Sequence, residues 1–73
     1  MAGAEGIMTL SDIQKRIREI QQLENDPEAA HAAEDKLHID VLRAISKHQC
    51  AAPELCAREA LRTQDIGFAR WCA

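Results

Sequence analysis

The chain has no tyrosine, one phenylalanine and one tryptophan. Strands favour aromatic and β-branched side chains, so this scarcity argues against an all-β domain. Glycine is nearly as scarce, with Gly3, Gly6 and Gly67 the only three. No loop therefore holds the consecutive glycines whose free amides cradle a phosphate, and no P-loop, dinucleotide turn, nucleophile elbow or HExxH helix is present. No apolar run approaches the ~18 residues that a membrane span needs, and no hydrophobic stretch follows a basic start as in a secretory leader. The three cysteines, Cys50, Cys56 and Cys72, are an odd number, which excludes a complete disulfide framework within one chain. These absences lead to the expectation of a cytoplasmic chain with reduced thiols and no membrane contact.

At 73 residues the chain has room for one small domain. Hydrophobic residues make up 47%, but thirteen of them are alanines, which bury little area, so the core is thinner than the percentage suggests. A core of this size seldom builds the water-excluding pocket that catalysis needs. The expectation is a non-catalytic protein with no cofactor. The net charge of −3 belongs to a mixed, soluble composition rather than to an acidic tail.

Helical periodicity dominates. Residues 1–8 have no period and read as a flexible N-terminal segment or a cloning remnant, leaving 9–73 as a single helical domain. The first helix starts near Thr9 or Ser11, with Ser11 and Gln14 spaced as a capping box. Leu10, Ile13, Ile17 and Ile20 follow on one stripe, about two heptads long and too short for a coiled coil. Asn25-Asp26-Pro27-Glu28 marks the start of a second helix, where Asp26 caps, Pro27 fits the first helical position and Glu28 meets the positive helix end. That helix runs to about Lys47. Its first half is rich in alanine, and its second half carries Leu37, Val41, Leu42, Ala44, Ile45 and His48. Pro53 starts a third helix, and Thr63 is placed to cap a short C-terminal one. The reading is an all-α bundle of three main helices plus that short helix. Its expected core is Ile13, Ile17, Ile20, Leu37, Val41, Leu42, Ile45, Leu55, Leu61 and Phe68.

Three groups of residues bear on chemistry. His48, Cys50, Cys56 and Cys72 are zinc-ligand types, but their spacing lacks the C-x2–4-C knuckle of common fingers. Unpaired thiols are the favoured reading over a Cys50–Cys56 disulfide or a metal site. Glu28-x-x-His31 and Asp35-x-x-His38 match a di-iron spacing, yet the further glutamates that such sites need are lacking, and a solvated face explains them. Lys15, Arg16 and Arg18, and later Arg58, Arg62 and Arg70, are basic. A helix-turn-helix reader of nucleic acid would use Arg58 and Arg62. The acidic net charge argues against that alternative.

Both aromatics lie in the last six residues, and a tail of that kind usually docks. Two surfaces are therefore candidates for protein binding: the stripe of Leu10, Ile13, Ile17 and Ile20, and the tail with Phe68, Arg70 and Trp71. Trp and Arg are residue types that dominate interface energies. The expected partner is another protein or a second copy of the chain.

Glu34-Asp35-Lys36-Leu37-His38, Val41-Leu42-Arg43-Ala44-Ile45 and Asp65-Ile66-Gly67-Phe68-Ala69-Arg70-Trp71 resemble segments of short uncharacterised proteins encoded in bacterial and phage genomes. The resemblance spans roughly the C-terminal half. It implies an accessory role in a phage or prophage and no catalytic residue. A small acidic protein in that setting would suit the basic surface of a host protein.

Overall fold

Thr9 fixes the start of the first helix in the computed structural model, which describes residues 7–70. Its hydroxyl accepts from the Asp12 amide at 3.2 Å, and the Asp12 carboxylate accepts from the Thr9 amide at 3.0 Å. The capping box is thus Thr9–Asp12, two residues earlier than the expected Ser11–Gln14 pair. Aspartate serves in place of glutamine because any acceptor that reaches back to the cap amide satisfies it. Helix α1 spans Leu10–Gln21 and buries Ile13, Ile17 and Ile20. A turn through Leu23 leads to Asp26, whose carboxylate accepts from the Ala29 amide at 3.3 Å. Helix α2 spans Pro27–Ser46, as the Asp-Pro-Glu start indicated.

The end of α2 has a defined geometry. His48 adopts a left-handed φ of 57°. The Gln49 amide then reaches the Ala44 carbonyl at 2.7 Å, and the His48 amide reaches Ile45 at 3.1 Å. This is a Schellman closure with histidine where glycine is usual. The loop continues through Cys50, which bridges to Met8: Met8 donates to Gln49 at 2.8 Å, and Ala51 donates to Met8 at 2.9 Å. Ala52 is also left-handed, at φ 56°, and turns the chain into α3, Pro53–Ala60. A 3₁₀ turn, Leu61–Asp65, continues directly from α3. This turn is the expected short C-terminal helix, but it starts at Leu61, and Thr63, placed by the sequence as its cap, is buried within it instead. The Ala60 backbone stays helical, so the chain tightens without a break.

All three helices touch one another, and no strand occurs among the described residues. The core consists of Ile13, Ile17, Ile20, Ala30, Leu37, Val41, Cys56, Ala60, Ile66 and Phe68, with Met8, Leu23, Ala33, Ile45 and Cys50 packed at its edge. Leu42, Leu55 and Leu61 stand outside it, at 65%, 49% and 57% exposure, against the expectation. The reason is helical phase. Ala30, Glu34, Leu37, Val41 and Ala44 share the inward face of α2, and Leu42 lies about one hundred degrees round from Val41. On α3 the inward positions go to Cys56 and Ala60, four apart, which turns Leu55 and Leu61 outward. Among the described residues, no helix is long and apolar enough to cross a membrane.

Candidate interaction surface

The α2 phase that exposes Leu42 also sets it beside α3. His38, Val41 and Leu42 of α2 face Ala57, Ala60 and Leu61 across a shallow groove of about 290 Å³. Val41 and Ala60 form its buried floor, and Leu42 and Leu61 form exposed walls. Ile39, three residues before Leu42 and 48% exposed, extends the apolar area along α2. The lining is almost wholly hydrocarbon. Its one polar member, His38, is already engaged: Nε2 lies 3.2 Å from the Ala60 carbonyl and 2.9 Å from the Thr63 hydroxyl. A carbonyl only accepts, so Nε2 carries the proton and donates. This ring staples α2 to the end of α3.

Behind the groove lies a buried ion pair. Glu34, on the inward face of α2, is 5% exposed and receives Nε and Nη2 of Arg70 at 2.9 and 3.1 Å. Arg70 also donates to the carbonyls of Thr63 at 2.7 Å, Ile66 at 3.1 Å and Phe68 at 3.2 Å, and lies 3.9 Å over the Phe68 ring. Burial pushes the Glu34 carboxyl up. Hydrogen bonds from Arg70 and Thr63, and the positive charge of Arg70 and His38, outweigh burial and hold it below its ordinary value. The same pairing holds the Arg70 guanidinium above its own ordinary value. No buried side-chain polar atom among the described residues lacks a partner. The arrangement fastens the chain end across the helices and offers no free acid, base or nucleophile.

The structure disperses the other expected groups. Ile13, Ile17 and Ile20 are interior residues, leaving only Leu10 half-buried at the rim, so the stripe has no free face for a partner. Its hydrophobic area is covered by α2 and α3. Phe68 is likewise buried and Arg70 is engaged with Glu34, so both belong to the clamp rather than to a free tail. Trp71 and Cys72, like the first six residues, lie outside the described residues. His48 is exposed at the α2 terminus, and Cys50 and Cys56 are free thiols. No group of three or more metal-ligand side chains occurs among the described residues. His31 and Asp35 pair with each other at 3.6 Å along α2.

Arg58 is exposed on α3, whereas Arg62 is held by Glu59 at 2.8 Å. Arg62 also lines a hollow with Glu24 and Asp65, whose carboxylates disfavour a phosphate there. Of the basic cluster on α1, Arg16 is bound to Asp40 at 3.0 Å, and Lys36 reaches the same carboxylate at 3.3 Å. Burial pushes the Asp40 carboxyl up, and the two cations more than reverse this.

Compared with known proteins, the chain matches no family model, no curated protein and no solved structure. Its function is therefore read from the surface itself.

Sequence reading missed both Glu34 and the groove. The signal for Glu34 was present. It falls in register with Ala30, Leu37, Val41 and Ala44, and a charge on an inward stripe calls for a buried partner. Only the fold identifies that partner, thirty-six residues away.

Proposed function

We propose that the chain is a small, non-catalytic, cytoplasmic protein-interaction module, with the Leu42–Leu61 groove as its contact surface. The observation that carries this reading is the row of Ile39, Leu42 and Leu61, three large aliphatics left in water beside one another in a protein short of large apolar residues. Scattered exposed leucines need no explanation, but adjacent ones across a groove mark a place for apolar anchors of another chain. The resemblance to short bacterial and phage-encoded proteins points to a host protein as that other chain and to an accessory role.

Leu42→Glu and Leu61→Glu test the reading, since both positions face water and the fold should survive. Tagged wild-type and variant chains are compared by affinity capture from a bacterial lysate. A specific companion captured by wild type and lost from both variants supports the groove. Equal capture by all three, with Leu55→Glu as a control elsewhere on α3, refutes it. Sedimentation of the same proteins shows whether the companion is a second copy.

A further inference from the structure

Cys50 and Cys56 are free thiols with a specific placement. Cys50 is the bridge residue opposite Met8, and Cys56 lies in the first turn of α3, six residues on. Both sulfurs turn toward one acceptor, the carbonyl oxygen of Ala51, at 3.8 Å for Cys50 and 3.1 Å for Cys56. A shared acceptor sets the two sulfurs on one side of the same peptide group. Between the two cysteines, left-handed Ala52 turns the chain into α3. The two thiols differ in access, because Cys50 is half-buried and Cys56 is fully buried.

We propose that Cys50 and Cys56 form a reversible dithiol–disulfide site that takes a low-molecular-weight disulfide, of the glutathione class, as its oxidant. The reaction runs in two exchanges. The Cys50 thiolate attacks one sulfur of the small disulfide, which breaks the disulfide bond and releases one small thiolate. Cys56 then loses its proton to solvent and attacks the Cys50 sulfur. The Cys50–Cys56 bond forms, and the second small thiolate leaves. The protein gives up two electrons and two protons, and the small disulfide becomes two thiols. Access sets the order of events, since only Cys50 meets an incoming molecule. Burial, the neighbouring Cys50 and the negative charge of Asp12 on α1 push the Cys56 thiol up to about 11. The second exchange is therefore the slow one near neutral pH and speeds up as pH rises. The site is independent of the groove, and either reading stands without the other.

The test uses the full chain, freshly reduced and then treated with oxidised glutathione at several pH values. After alkylation of the remaining thiols, intact mass and peptide mapping identify the products. The expected course is a glutathione adduct on Cys50 that converts to a linked Cys50–Cys56 peptide, with conversion faster at higher pH and reversed by a dithiol reductant. Cys50→Ser should abolish the linked peptide and leave Cys56 slow to react. Cys72→Ser should leave the linkage unchanged. A stable adduct on Cys50 that never closes overturns the proposal, as does linkage that runs through Cys72. Circular dichroism of Cys50→Ser confirms that it is folded, so a failure to link cannot be assigned to unfolding.

Discussion

Replacing Arg70 by alanine tests whether the buried ion pair fastens the chain end in solution. The change removes two charge-assisted bonds to Glu34 and three to backbone carbonyls, and uncovers one face of Phe68. It leaves the Glu34 carboxylate, 5% exposed, without its cation. Breaking a fully buried pair from one side costs about 3–5 kcal/mol. Arg70 is 31% exposed, so water reaches the vacated site and recovers part of that loss. The expected cost is about 2–3 kcal/mol, which at roughly 4–8 °C per kcal/mol lowers Tm by about 10–20 °C. Glu34→Ala should cost a similar amount. The double variant should fall short of the sum by at least about 1 kcal/mol, because the second change no longer leaves a buried charge alone. Urea unfolding followed by circular dichroism measures all three. Acid titration adds a second reading. The Glu34 carboxyl is depressed in the folded state, so its contribution is complete above the ordinary value of 4.5 and is lost as pH falls through the lowered one. Arg70→Ala should flatten that acid limb. A cost under about 0.5 kcal/mol, or additive single changes, would refute the reasoning.

Three further outcomes follow from the same geometry. Leu37→Ala, at a fully buried position, should destabilise by about 2–5 kcal/mol, whereas Leu42→Ala should stay within about 0.5 kcal/mol in the same denaturation experiment. His48→Gly should raise stability by up to about 1 kcal/mol, because it relieves a left-handed side chain while keeping the Schellman bonds; a loss would mean that the ring makes contacts of its own. Asp40→Asn should lower stability by no more than about 1 kcal/mol, with an effect that shrinks in high salt, since both cations beside it are partly exposed.

The helices were legible because local chemistry sets them. Asp26-Pro27-Glu28 and Pro53 mark starts through backbone rules that act within a few residues. The Ile13-Ile17-Ile20 spacing placed one face of α1 correctly in the core. The groove was not legible, because Leu42, Leu55 and Leu61 satisfy a hydrophobic pattern as well as true core residues do. What decides between them is the phase of α2 against α3, a property of packing rather than of either segment. The clamp was hidden for a related reason. Glu34 sits in an acidic run that reads as a solvated face, and Arg70 sits in a tail that reads as free. Each looks ordinary until the fold brings them within 3 Å.

The bridge between Met8 and residues 49–51 has a kinetic consequence. Its two hydrogen bonds join positions more than forty residues apart, and they hold the segment whose Ala51 carbonyl accepts from the buried Cys56 thiol. A clasp of two hydrogen bonds between sequence-distant segments is expected to open at lower cost than the whole fold. The rate at which a thiol reagent reaches buried Cys56 is then a clock for fraying at that edge, running far faster than global unfolding.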